Sequence, residues 1–256
     1  MKKENIIAVI IAGLVAFMYI SGLPSAFVVH ISLADVDPVC ITLLVNIVLA
    51  MAVGILLTKT WIPRFDVGFR PCILASDLKK YGLSCIAATA VPCAAFCAGL
   101  LPFDYSPTIW KILIEGIVYY LGVGIIEEFF CRGLLQNALE KMFHSRKNPQ
   151  LLSVILSACI FGLGHIFGII GMPLLLAACK IVWAIGLGIY LGAVFVKTRN
   201  LWLVSLFHFM IDLCGLPFCF STQRAYPTIS AVIVLCTFLI FGVYGLKLLQ
   251  DPKNKS

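Results

Sequence analysis

The chain has 256 residues, of which 61% are hydrophobic and only 12% charged, with a formal net charge of +7. Soluble domains are about half apolar and a quarter charged, so the usual water-facing surface has been exchanged for an apolar one. This excludes an ordinary soluble enzyme. The excess of Lys and Arg reads as membrane topology and not as nucleic-acid binding, because those residues sit in short segments between apolar runs.

A membrane-spanning helix needs about 20 mostly apolar residues. Runs of that kind are expected at about 5–28, 38–58, 81–102, 108–135, 150–170, 172–196, 199–218 and 228–249. The fold class is therefore all-α, a polytopic integral membrane bundle of about eight transmembrane helices, forming one membrane domain over 1–256. The first run follows two lysines, but it is too long for a signal-peptide core and lacks a small-residue cleavage site, so it is expected to stay as a helix. Lys2 and Lys3, then Lys59 to Lys80, Lys141 to Lys147, Lys197 with Arg199, and Lys247 to Lys255 mark alternate loops. The other loops hold Asp35, Asp37, Asp104, Gly171-Met172 and Arg224. Basic residues thus recur on one side, which predicts cytoplasmic termini in what is expected to be a bacterial cell membrane. Residues 69–80 and 133–145 mix polar and apolar character and are expected to lie along the cytoplasmic interface as amphipathic helices. Of the eleven cysteines, most lie within apolar runs without metal-ligand spacing and read as small packing residues, while Cys214 and Cys219 fall near an expected outer loop.

Charges inside such runs cost about 2.5–3.5 kcal/mol each on insertion scales and persist when paired or functional. The fourth run contains Glu127, Glu128 and Arg132. Glu128 and Arg132 are four apart and suit a local ion pair. Glu127 lies about 100° away around the helix and lacks a helical counter-charge, which makes it a candidate general base. A purely structural network of the three is the alternative. The fifth run carries His165 beside Gly162, Gly164 and Gly168. The seventh carries His208 and Asp212, four apart, with Ser205 before them. At 1.5 Å per residue, His208 and Glu127 fall ~13 and ~12 Å from the basic side and His165 ~22 Å. All three are expected to face one cavity open to the cytoplasm. Two carboxylates and two imidazoles there suit hydrolysis, with Glu127 taking a proton from water, His165 orienting that water, and His208 with Asp212 facing the oxyanion. The same Glu127, His165 and His208 could instead hold a divalent metal such as zinc. Outside this group, Glu115 and Lys180 fall at similar depths near the opposite side. They are expected either to pair, or to separate with Lys180 reaching outward and Glu115 meeting water or backbone.

The pattern Glu127-Glu128-x-x-x-Arg132, Phe161-x-x-x-His165 and His208-x-x-x-Asp212 resembles the CAAX protease and bacteriocin-processing family, also called the CPBP or Abi intramembrane proteases. Gly188, Gly192, Lys197-Thr198-Arg199, Asn200-Leu201-Trp202 and Ser205 resemble it too. The likeness covers about residues 110–215, the expected catalytic core. It implies an intramembrane endopeptidase acting on membrane-associated peptides or proteins. Glu127 would be the general base, Glu128 and Arg132 its support, His165 a water holder, and His208 with Asp212 the oxyanion site. Many members have Asn at the last position, and Asp212 departs from that. The family has been read both as metalloproteases and as glutamate-dependent without an obligatory metal. Membrane lipids and a peptide or protein substrate are the partners implied. The alternatives are a non-proteolytic bacteriocin self-immunity protein and, more remotely, a proton or small-solute transporter, for which no internal repeat is visible.

Overall fold

A computed structural model describes residues 3–21, 38–60, 66–99, 109–220 and 227–250. Among these the chain is an all-α bundle without strands. The helices are α1 (Lys3–Ile20), α2 (Pro38–Thr60), α3 (Ala75–Gly99), α4 (Ile109–Glu128), α5 (Asn137–Met142), α6 (Pro149–Gly164), α7 (Leu174–Thr198), α8 (Leu201–Asp212) and α9 (Thr228–Gln250). A π-helical stretch, Phe129–Gln136, joins α4 to α5, and 3₁₀ turns continue α6 over His165–Ile169 and α8 over Leu213–Phe220. Among the described residues, four segments, 75–98, 149–169, 174–198 and 228–250, are long and apolar enough to cross a bilayer, and shorter apolar helices occupy 6–20, 47–56 and 201–216.

Apolar residues lie on all sides of the long helices, so hydrophobicity alone does not separate inside from outside; in α1 residue size does. In α1, Ala8, Ala12 and Ala16 are buried at four-residue spacing, while Ile7, Ile10, Leu14 and Met18 are exposed to the lipid side. In lipid, helices associate through close packing, which small residues permit. Helix α7 is the hub. An added Cβ at Gly186 would lie 2.3 Å from the Phe238 carbonyl oxygen of α9, and one at Gly188 would lie 2.9 Å from Ala158 of α6. These glycines let α7 nest between its neighbours.

Of the stretch 133–145 expected along the interface, residues 133–139 are instead buried in the bundle. Gly133 to Asn137 are buried, within the continuous rod that follows α4. Their polar groups find partners inside. Gln136 donates to the Gly192 carbonyl at 3.2 Å, and Asn137 donates to the Asp66 and Gly133 carbonyls at 3.0 and 2.8 Å. Residues 69–80 also differ from expectation, because 66–74 is non-helical and α3 begins at Ala75. Gly68 (φ 83°) turns this segment back so that its carbonyl accepts from the Leu201 N–H at 2.8 Å. Asn200 caps α8 through Leu203 N–H and donates to Cys72 O. Phe69 stacks near Phe129 and Trp202, at 5.7 and 5.3 Å between ring centres. Arg199, in the left-handed region, grips Glu140 with 2.7 Å contacts. This network fixes where α8 starts, and so how far along it His208 stands.

Candidate functional site

Three helices bring the polar residues together, and a close backbone crossing sets their spacing. A Cβ at Gly124 would lie 2.9 Å from the Ser205 carbonyl oxygen and 3.1 Å from the Phe209 nitrogen. With no side chain at 124, α4 and α8 approach until the His208 ring reaches both acids one turn further along α4. His208 Nδ1 is 2.7 Å from Glu128 Oε1, and its Nε2 is 3.6 Å from Glu127 Oε2 and 3.5 Å from Asp212 Oδ2. One imidazole therefore sits among three carboxylates.

Glu128 is fully buried and has two partners. Arg132 Nη1 contacts the same Oε1 at 3.0 Å, and the guanidinium also donates to the Gly188 carbonyl at 3.2 Å and lies 4.9 Å from the Phe161 ring centre. Oε2 of Glu128 has no hydrogen-bond partner among the described residues. Arg132 is as buried as its partner, so the two charges stand or fall together. Glu127 lies one residue earlier and points into open space, with the His208 contact its ion-pair partner among the described residues. His165 ends α6. Its Nδ1 is 2.9 Å from the Phe161 carbonyl, which can only accept, so Nδ1 carries the proton and Nε2 presents a lone pair. Its ring meets Phe161 edge-on at 5.0 Å, and Phe161 meets His208 at 5.8 Å.

Glu127, His165, His208 and Asp212 line one cavity of about 430 Å³ together with Phe161, Tyr119, Tyr120, Trp183 and Lys180. The structure thus gathers these four candidates at one space, with Glu128 and Arg132 behind them. The cavity is not where the chain order suggested. Ile20 and Ser21 at the end of α1, Pro92 and Phe96 late in α3, Gly168 after α6, and Val234 and Phe238 early in α9 also line it. All belong to the helix halves remote from the basic loops. His165 stands at the far end of α6, and α8 is only 12 residues long, so its end comes level with the cavity. Counting residues from the basic side missed this.

Among the described residues no group of three His, Cys, Asp or Glu side chains is arranged to hold a metal ion. Glu127, His165 and His208 are not gathered as such a group. The side chain of Glu115 lies outside the described residues, so its expected pairing with Lys180 finds no description here. Lys180 itself lines the cavity, which the reading of the chain did not foresee. The signal was available, since an intramembrane charge outside a motif marks a site by default.

Comparison with known proteins bears on this segment. The family model described as "Type II CAAX prenyl endopeptidase Rce1-like" matches residues 108–214, in keeping with the resemblance to the CAAX protease and bacteriocin-processing family. That range contains every polar candidate above, from Glu127 to Asp212. The family matched is one of endopeptidases, and the apolar helices make this an integral membrane protein. A search of curated proteins gives no match to the chain.

Proposed function

We propose that the protein is an intramembrane endopeptidase that hydrolyses peptide bonds of membrane-associated proteins or peptides with a glutamate-activated water. One observation carries the reading. Of two adjacent acids, the fully buried Glu128 is matched by Arg132 at 3.0 Å, while the partly exposed Glu127 is left facing a cavity beside two imidazoles.

The chemistry follows from the placement. A water in the cavity gives a hydrogen bond to His165 Nε2, the acceptor left over once Nδ1 donates to Phe161. Glu127 takes the water's proton as oxygen attacks the peptide carbonyl. Negative charge then builds on the carbonyl oxygen. The His208 Nε2–H, held in orientation by the Nδ1 bond to Glu128, is the donor aimed at that space. Glu127 returns its proton to the leaving amine. Glu128 and Arg132 touch no reacting atom and hold His208 in place. Asp212, at 3.5 Å from the same Nε2, fixes that ring from the open side.

The test is peptide cleavage in proteoliposomes by purified protein. Glu127→Gln and His165→Ala are each expected to lower kcat at least a hundredfold, the lower end for removing a general acid or base, with unchanged elution in size-exclusion chromatography. Near wild-type cleavage by both variants overturns the reading.

A further inference from the structure

Lys180 lies on α7, one and a half turns from its start, and no motif of the sequence includes it. Its side chain reaches the same cavity as Glu127, His165, His208 and Asp212. Its Nζ would stand 3.6 Å from a Cβ added at Gly168, which locates the ammonium beside the 3₁₀ turn that follows His165. Glu127 and Asp212 line the same space as its ammonium. Among the described residues it has no ion-pair partner within 4 Å, so it faces those carboxylates across open space and not in direct contact.

The charges around the cavity decide what that cation does. Glu127, Glu128 and Asp212 are three acids. Arg132 supplies one positive charge, and His208, which meets carboxylates at both ring nitrogens, a second when both nitrogens carry protons. With all three acids ionised and His208 charged, the cluster without Lys180 carries one net negative charge, which opposes an oxyanion forming in the same space. With Lys180 it is neutral. Glu128 is already matched by Arg132, and Glu127 is the group that must exchange a proton. That leaves Asp212, whose ion-pair partner among the described residues is His208.

We propose that Lys180 is a positioning residue whose ammonium is the counter-charge of Asp212 across the cavity, which keeps His208 available as the oxyanion donor. The proposal rests on the endopeptidase reading above. It makes the two residues interdependent: the cation is needed because position 212 is an acid. Neutralising Asp212 removes that need.

The experiment is a double-mutant cycle of Lys180→Met and Asp212→Asn, read as kcat and KM for peptide cleavage in proteoliposomes and, separately, as thermal stability in detergent. Lys180→Met alone is expected to lower kcat about tenfold, a coupling of ordinary size for interacting charges, with KM within about twofold. In the Asp212→Asn background the same change is expected to cost about threefold or less, and Lys180→Arg is expected to retain most of the activity. Equal losses in both backgrounds, or a Lys180→Met enzyme as active as wild type, overturn the proposal. If Lys180→Met does not fold, Lys180→Gln takes its place. If wild-type protein shows no Glu127-dependent cleavage, the endopeptidase reading falls. The thermal cycle then judges the charge pairing alone, and additive stability losses refute it.

Discussion

Replacing Arg132 by alanine removes three interactions at once: the 3.0 Å contact with Glu128, the 3.2 Å bond to the Gly188 carbonyl and the stacking on Phe161. Arg132 and Glu128 are 1% and 0% exposed, so no water can replace the lost cation. Breaking a buried pair from one side costs about 3–5 kcal/mol. Glu128 keeps the His208 ring at 2.7 Å, which places the expected loss toward the lower end. For a chain of this size each kcal/mol moves Tm by roughly 2–4 °C, so Arg132→Ala is expected to lower it by about 6–12 °C. Glu127→Gln removes a charge from a cavity wall and is expected to change Tm by less than about 3 °C. Nano-scale differential fluorimetry in detergent measures both. The double variant Arg132→Met/Glu128→Gln leaves no charge unmatched within the pair and is expected to be more stable than Arg132→Ala. Equal Tm for Arg132→Ala and Glu127→Gln would refute the assignment of Glu128 and Arg132 as a mutually dependent pair.

Other expectations concern packing and access. Gly124→Ala pushes a methyl group to 2.9 Å from the Ser205 carbonyl oxygen and is expected to lower kcat more than tenfold by parting α4 from α8; wild-type kcat in that variant contradicts the role given to the crossing. Gly186→Ala, which meets the Phe238 backbone at 2.3 Å, is expected to reduce yield and Tm far more than Gly171→Ala, which meets nothing within 4 Å and costs only its left-handed backbone, about 1 kcal/mol. The reverse order by fluorescence-detected chromatography counts against the α7–α9 contact. The basic loops predict that the cavity faces away from the cytoplasm. In a background cleared of reactive cysteines, a membrane-impermeant thiol reagent outside intact cells is expected to label Ser21→Cys and to spare Lys147→Cys until the cells are opened. Labelling in the opposite order reverses the orientation.

Much of the helical layout is legible in the chain because bilayer thickness imposes a run length, and the described rods fall close to the expected spans. What sets them in register is not legible. The π-helical stretch after Glu128 ends where Gln136 and Asn137 find partners on α7 and on the 66–74 segment, far away in sequence. A local reading sees only mixed polarity there and places it at the interface. The polar residues of the site stand out individually, since acids and imidazoles are rare in apolar runs. Their shared cavity depends on α8 being short and on α6 ending at His165, and neither shows in an unbroken run of apolar letters. Lys180 was visible as an anomaly, but its neighbours were not.

The ring of Phe161 touches Arg132, His165 and His208, one from each of three helices. It exchanges no proton and polarises no bond, yet a random screen for inactive variants is expected to return position 161 beside the acids and imidazoles. Such a screen scores dependence and is blind to chemistry. Phe161→Leu and Glu127→Asp can look alike on a selection plate, and only a substrate-saturated rate with a folding control tells a displaced scaffold from a missing reagent.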